Sequence, residues 1–228
     1  MIEGTIRTLS RHDKAAFIEV MDNAFRPDPL FQKLFVAGQP QAVAAQRSRT
    51  FLGFMFDMAC LLGQERRGLF VGDKLLGCYI LEKSGGSLGR KLAGIGRLLR
   101  RVLLLPWRIS WSVFAYLNRY MRATEQASPP QPHRYLRMIG VHESARGKGI
   151  GGQLLSEIVQ RADADPCSEG LALDTENPVN LELYAKYDFR LSEEKRLDGL
   201  TIFCMVRRKR AAQAQANNMK TPPGGGAA

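Results

Sequence analysis

Residues 135–152, which read YLRMIGVHESARGKGIGG, constrain this chain more than any other stretch. An apolar run at 135–141 predicts a strand, and a glycine-rich segment follows at 146–152. Apolar residues then recur at helical spacing, at Leu154, Leu155, Ile158 and Val159. A strand, a glycine-rich turn and a helix in this order leave backbone N–H groups free at the start of the helix, where an anion is favoured. The stretch therefore predicts a site for a phosphate-bearing ligand.

Length and composition predict one domain. The chain has 228 residues, of which 45% are hydrophobic and 24% are charged, so it can bury a core of ordinary size. We expect a single domain over residues 1–210, with a basic helical insertion at 85–132. The tail at 211–228 has almost no large apolar side chains, and we expect it to be disordered.

The net charge of +11 is concentrated in two stretches without acidic residues, 85–124 and the part that follows Asp198. The first mixes arginines with apolar residues at helical spacing and is interrupted by Pro106, which predicts two helices. Two interpretations stay open: the insertion docks on the domain as a lid over an acceptor site, or residues 90–122 make a peripheral contact with an anionic membrane. No nucleic-acid recognition motif accompanies the charge, so no nucleic acid is expected as a partner.

The four cysteines are widely spaced and form no CxxC pair; they are Cys60, Cys78, Cys167 and Cys204. This spacing indicates neither a metal site nor a disulfide framework, and we expect no metal and a reducing, cytoplasmic location. The N-terminal residues do not have the pattern of a signal peptide, and no apolar run reaches the length of a membrane-spanning helix.

Two segments together resemble the GCN5-related N-acetyltransferases, the GNAT family, which transfer an acyl group from acyl-coenzyme A to an amine. The first is Arg146-x-x-Gly149-x-Gly151, between a predicted strand and a predicted helix. The second, at 177–184, reads NPVNLELY and is followed by Tyr187-Asp188-Phe189, where the family usually has Gly before Phe. Asp tolerates a left-handed conformation better than most residues, so we expect the turn to be kept.

The resemblance implies an α/β (α+β) fold of the acyl-CoA N-acyltransferase type. We expect a mixed, largely antiparallel and splayed sheet of six or seven strands, with helices on both faces. The insertion at 85–132 is expected between the third and fourth strands.

The resemblance also implies roles for particular residues. Ile139 and Val141 would offer backbone groups to the pantetheine arm of acetyl-coenzyme A. The pyrophosphate would lie on the turn that consists of Arg146, Gly147, Lys148, Gly149, Ile150, Gly151 and Gly152. Asn177 resembles a cofactor-contacting asparagine of the family, although a plain helix cap at this position would look the same. Tyr184 would be the general acid, because a phenol with a pKa of about 10 stays protonated at neutral pH and can donate to the departing thiolate.

The general base is left open by the sequence. Asp174 and Glu176 lie at the end of the predicted fifth strand, and we expect alternation to aim one of them at the cofactor cleft and the other away from it. Glu125 and His133, at the end of the insertion, are further candidates, as is a water chain.

The function implied is that of an acyltransferase: transfer of an acetyl group from acetyl-CoA to a primary amine of a small molecule, peptide or protein, directly within a ternary complex. Two alternatives stay open: an acyl-CoA-binding sensor or scaffold without turnover, and an acyltransferase held on an anionic membrane surface. The acceptor and the oligomeric state are not predicted.

Overall fold

The computed structural model describes residues 4–83 and 109–209, and these form a mixed sheet flanked by helices. The strands are β1 Thr5–Thr8, β2 Glu65–Val71, β3 Lys74–Glu82, β4 Arg134–Val141, β5 Gly170–Thr175, β6 Arg190–Leu197 and β7 Leu200–Arg208. The helices are α1 Lys14–Phe25, α2 Pro29–Phe31, α3 Gln41–Leu61, α4 Trp111–Gln126, α5 Ile150–Ala164 and α6 Val179–Ala185. The strand order is β1-β2-β3-β4-β5-β7-β6. Neighbouring strands are antiparallel except for the parallel pair β4 and β5, so the predicted fold class is confirmed.

Each face of the sheet is covered by helices with an apolar side. On one face, α1 and α3 bury Phe17 and Phe56, whose ring centroids are 5.0 Å apart. On the other face, α5 buries Leu154 and Ile158, which are fully enclosed. Among the described residues, no helix is long and apolar enough to cross a membrane.

The helix α4 belongs to the connection between β3 and β4, where the insertion was expected, and it docks on the β6–β7 hairpin. The Tyr116 hydroxyl donates to the Leu197 carbonyl oxygen at 3.1 Å, and Arg119 forms an ion pair with Asp198 at 2.8 Å. Tyr120 packs against the β7 side chains. This part of the insertion therefore lies on the domain. The predicted helix before Pro106 and the predicted disorder at 211–228 fall outside the described residues.

A β-bulge in β4 changes the direction of that strand. Ile80 pairs with Met138 and Leu81 pairs with Leu136, so Arg137 is one extra residue on β4. Because of this extra residue, Met138 faces the α1–α3 core and Leu136 faces the α5 core, although residues two apart normally share a face. A bulged strand bends and twists more strongly.

Two arginine–aspartate pairs of similar geometry differ in burial, so they allow the effect of burial on the stability of an ion pair to be measured. Arg207 is 2% exposed and is held by Asp163 at 2.7 and 2.9 Å, whereas Arg119 and Asp198 meet at 2.8 Å on the surface. We expect Asp163→Asn to lower the free energy of unfolding by about 2–3 kcal/mol, because it leaves a buried guanidinium without its counter-charge. The loss falls below the full cost of breaking a buried pair because Asp163 is about a third exposed and the amide oxygen still accepts a hydrogen bond.

The matched control is Asp198→Asn, which keeps a side chain that tolerates the φ of 48° at that position. We expect urea denaturation of this variant to resemble that of the wild type, since an exposed pair is screened by water. Equal losses in the two variants would contradict the assignment of Arg207 as a buried, paired charge.

Candidate active site

The strands β4 and β5 diverge directly after a short paired segment. Their parallel pairing runs from Arg134–Leu171 to Leu136–Leu173, which is the last pair in the described sheet. The bulge at Arg137 follows immediately on β4, so the bend provides the physical reason for the divergence. Beyond this point one edge of β4 is open toward β5.

The backbone groups of Ile139 and Val141 face this open edge. The His142 N–H donates to the Leu76 carbonyl oxygen at 2.9 Å, on the β3 side of the strand. In an antiparallel pair such bonded positions alternate with positions whose backbone groups point the other way. In the register with β3, Val141 and Ile139 occupy those alternate positions. Their backbone N–H and C=O groups are therefore directed toward the open edge, where an extended ligand could pair with them.

The glycine-rich turn after β4 presents the start of α5. Gly147 and Gly149 have φ values of 75° and 81°, a region that favours glycine, and Gly149 is the N-cap of α5. No described side chain caps this helix, so its first backbone N–H groups are free to meet an anion. A Cβ built on Gly147 would meet no described protein atom within 4 Å, so the space before the turn is open.

Two cationic side chains flank the turn and are exposed. The Lys148 ammonium donates to the Ser144 carbonyl oxygen at 2.7 Å, and the Arg146 guanidinium donates to the Ala24 carbonyl oxygen at 3.4 Å. Each group keeps further N–H donors for an anion at the turn, because an ammonium has three and a guanidinium has five.

An open groove of about 600 Å³ continues from the turn along α5. It is lined by Gly149, Gln153 and Tyr187, with Ile6 and Arg67 from the first two strands. A ligand that placed a phosphate on the turn would therefore have room to extend along this helix.

Tyr184, the predicted general acid, lies on α6 and is 6% exposed. Its ring packs on Phe189 with the centroids 5.7 Å apart, and its hydroxyl has no hydrogen-bond partner among the described residues. Burial raises the pKa of the Tyr184 phenol well above its usual value, and the nearby charges of Asp174 and Glu176 raise it further. The phenol therefore stays protonated at neutral pH.

Asn177 directly precedes Pro178, the N-cap of α6. Its side-chain oxygen accepts a hydrogen bond from the Val179 N–H at 3.1 Å. The side-chain NH₂ group is left to donate elsewhere. After the same helix, Asp188 adopts a φ of 65°, so the expected left-handed turn before Phe189 is confirmed.

Asp174 and Glu176 meet at one hydroxyl group. Tyr120, from α4, is hydrogen-bonded to a carboxylate oxygen of each, and the Tyr135 hydroxyl donates to the other oxygen of Asp174. The expectation that one carboxylate faces the cleft and the other faces away is wrong. Residues two apart on a strand lie on the same face, and here both extend toward the face that α4 covers.

Counting protons assigns the charge state of this group. A phenol has one proton, so Tyr120 donates to only one of the two carboxyl groups, and its other contact needs a proton from a carboxylic acid. Burial, together with the charges of Asp174 and Asp28, raises the pKa of Glu176 to about 8. Glu176 therefore holds a proton at neutral pH and donates it to the Tyr120 oxygen, while Tyr120 and Tyr135 donate to Asp174.

Asp28, Tyr120 and Tyr135 were not recognised as site residues from the sequence. Asp28 caps α2, accepting from the Leu30 and Phe31 N–H groups at 2.9 and 3.2 Å. Burial raises its pKa, and the charge of Asp174 raises it further. The Pro residues on both sides of Asp28 signal a fixed loop, but no sequence signal connects this loop to β5.

The other two base candidates lie apart from this cluster. Glu125 is exposed in the last turn of α4. The Nδ1 atom of His133 lies 2.9 Å from the Gln131 carbonyl oxygen, and its ring centroid is 6.2 Å from that of Tyr135. Among the described residues, neither side chain hydrogen-bonds a carboxylate of the cluster, so the structure brings together Asp174 and Glu176 and not these two.

The proton on Glu176 makes stability depend on pH. Because the folded pKa of about 8 is above the usual glutamate value, the contribution is fully present below the unfolded pKa and is lost as the pH rises through about 8. Glu176→Gln keeps a donor for Tyr120 that does not titrate. We therefore expect the Tm of the wild type to fall relative to that of Glu176→Gln between about pH 5 and about pH 9, measured by circular dichroism. A constant Tm difference across this range would contradict a protonated Glu176.

Residues 108–189 match the family model described as Acetyltransferase (GNAT) family. No curated protein sequence matches the chain. Among solved structures, a protein from Corynebacterium glutamicum described as histone acetyltransferase HPA2 and related acetyltransferase is similar, with a TM-score of 0.66 and 17% identity over 91% of this chain and 97% of that one. PaiA N-acetyltransferase from Thermoplasma acidophilum, solved in complex with coenzyme A, has a TM-score of 0.52 and 16% identity over 91% of this chain and 99% of that one.

At such identities the solved structures establish the fold, and the family model matches residues 108–189. The matched residues include α4, β4, the glycine-rich turn, α5, β5 and α6, which contain most of the site described above. Residues 108–189 therefore match a GNAT acetyltransferase domain, in agreement with the resemblance seen in the sequence motifs.

Proposed function

We propose that this chain transfers an acetyl group from acetyl-CoA to the primary amine of an acceptor, directly within a ternary complex. The observation that carries the proposal is the divergence of β4 and β5 beside an uncapped, glycine-rich helix start. Tyr184 packs in the same core as Leu136 and Leu173, the last pair between β4 and β5, and Asp174 and Glu176 follow Leu173 in the chain. A similar fold has been solved with coenzyme A bound, which supports the choice of cosubstrate.

The residues present fit an extended ligand with phosphates at one end. Backbone groups of Ile139 and Val141 would hold the pantetheine arm as an added strand would be held. The N–H groups at the turn, with Arg146 and Lys148, would hold the pyrophosphate. The free NH₂ group of Asn177 would donate to the arm between them.

Acetyl-CoA supplies a thioester carbonyl that an amine can attack. Tyr184 would donate its proton to the sulfur as the C–S bond breaks, and its raised pKa keeps that proton available. The Asp174–Glu176 pair would accept the proton that the ammonium of the acceptor loses before attack. We place the base here rather than at Glu125 or His133 because this pair lies where the strands diverge.

Direct transfer agrees with the state of the nearest thiol. Cys204 is paired with Asp174 in the register of β5 and β7. Burial, and then the charge of Asp174, raises the pKa of this thiol to about 12, so it is not a thiolate at neutral pH. An acetyl-cysteine intermediate at this position is therefore unfavourable.

The proposal is tested by following thiol release from acetyl-CoA with a panel of amines, together with mass spectrometry of the products. Acetylated amine, and initial-rate plots that intersect rather than run parallel, are expected for a ternary complex. Tight acetyl-CoA binding by calorimetry without thiol release would instead favour a sensor or scaffold. Sedimentation with anionic vesicles at low salt tests the membrane-bound alternative.

A further inference from the structure

The opening between β4 and β5 has carboxyl groups on two of its sides. Asp174 is in β5, Glu176 follows the end of that strand, and Asp28 comes from the loop between α1 and α2. The three carboxyl groups are close enough that Asp174 and Asp28 both raise the pKa of Glu176. Arg137, which also interacts with the charge of Asp174, contacts Glu82 at 3.0 Å, and its guanidinium carbon lies 4.6 Å from the centroid of the Tyr135 ring.

A second, independent feature points to a ligand at this opening. The Tyr184 hydroxyl is enclosed in a residue that is 6% exposed, yet it has no hydrogen-bond partner among the described residues. The Tyr184 side chain packs in the core on the α5 face, and after burial the charges of Asp174, Glu176 and Asp28 raise the pKa of this hydroxyl, so the acidic group lies near it. This hydroxyl is therefore available to donate to a reacting amine or thioester that lies between it and the carboxylates.

The insertion closes the opening from the opposite side. Tyr120 reaches both carboxyl groups from α4, and α4 is itself fixed on the β6–β7 hairpin by Tyr116 and Arg119. The acceptor would therefore meet a site whose charge and walls are fixed before it binds.

We infer that this opening selects acceptors whose reacting primary amine has no carboxylate close to it, such as alkylammonium compounds, over the corresponding free amino acids. An ammonium is attracted by Asp174 and is able to replace the proton held by Glu176, whereas a carboxylate on the neighbouring carbon would be brought against like charge in a low-dielectric site. The inference rests on the proposed function, because it names the acceptor class of that same site.

The reaction balances with these groups. The ammonium gives one proton to the carboxylate pair, and its nitrogen forms the C–N bond to the thioester carbon. The C–S bond breaks with its electron pair on sulfur, which takes the Tyr184 proton. The nitrogen loses its second proton, which restores the Tyr184 phenol, and the carboxylate pair returns its proton to water.

The test measures binding of matched amines to the protein saturated with coenzyme A, by calorimetry at pH 7. The pairs are tyramine with tyrosine, agmatine with arginine, and cadaverine with lysine, because the members of each pair differ in the α-carboxylate. We expect the decarboxylated member to bind at least about 10-fold more tightly. Equal affinity within the pairs, tighter binding of the amino acids, or binding of neither member overturns the inference.

Two variants assign any preference to the carboxylates. At pH 7 we expect Asp174→Asn to remove most of the preference and Glu176→Gln to remove little, because Glu176 already holds a proton. Unchanged coenzyme A affinity checks that each variant is folded.

If Asp174→Asn does not fold, Glu176→Gln measured at pH 9 replaces it. At that pH the wild-type Glu176 is ionised, so the variant should show a weaker preference than the wild type. The inference is overturned if the folded Asp174→Asn variant keeps the preference. If Glu176→Gln at pH 9 has to be used instead, an unchanged preference in that variant overturns it.

Turnover is recorded separately with the same amines. Selective binding without acetylated product would contradict the proposed function and leave the acceptor class standing. Acetylation of both members of each pair at equal kcat/KM would support the proposed function and overturn the inference.

Discussion

Replacing Tyr184 with Phe is expected to lower kcat about 100-fold with little change in the KM for acetyl-CoA. The ring and its packing on Phe189 are kept, so the variant removes only the proton that would go to the departing thiolate. The loss should persist across the pH range in which the wild type is active, because burial keeps the phenol protonated throughout that range. The measurement is thiol release at saturating acetyl-CoA as a function of pH.

Tyr79→Phe is the matched control. Tyr79 is fully buried and its hydroxyl lacks a hydrogen-bond partner in the described chain, but the charges near it are those of Glu157, Arg161 and Arg67 rather than those of Asp174 and Glu176. We expect its kcat to equal that of the wild type. If Tyr184→Phe also kept the wild-type kcat at every pH, Tyr184 would not be the general acid.

Replacing Gly147 with Ala is expected to weaken coenzyme A binding about 10-fold or more. The residue has a φ of 75°, and its missing Cβ leaves open the space in which a pyrophosphate would approach the backbone N–H groups. The added methyl group would stand in that space. The measurement is the Kd of coenzyme A by calorimetry.

Gly199→Ala separates this effect from backbone strain. Gly199, in the β6–β7 turn, has a φ of 80°, and a Cβ there also meets no atom of the described chain within 4 Å. Both variants should lose about 1–2 kcal/mol of stability, because each forces alanine into a left-handed conformation. Only Gly147→Ala should lose affinity; equal Kd values for the two variants would contradict a pyrophosphate site at the turn.

The parts of the fold that were predictable are those in which neighbouring residues determine the structure. Gly149 was identifiable as a helix start because a left-handed N-cap strongly favours glycine, and Asp188 was identifiable as a left-handed residue for a related reason. The position of α4 between β3 and β4 followed from the order of the elements. The cofactor-binding and catalytic roles assigned from the resemblance remain predictions.

The group formed by Tyr120, Asp174 and Glu176 was not predictable, because it is assembled from distant segments. Tyr120 and Glu176 are 56 residues apart in sequence and meet only because α4 folds over the end of β5. The bulge at Arg137 had no sequence signal either, since an arginine in an apolar run is ordinary on a strand edge. Asp174 and Glu176 are two residues apart, so their common face was predictable from the sequence, and the expectation of opposite faces was wrong.

The central claim is that the opening between β4 and β5 binds acyl-CoA, and backbone amide hydrogen exchange with and without coenzyme A tests it most directly. We predict slower exchange at Ile139 and Val141 and at the N–H groups of residues 147–152, with no change at the β6–β7 turn around Gly199. Unchanged exchange in both of the first two segments, under conditions where calorimetry shows coenzyme A to be bound, would contradict the claim.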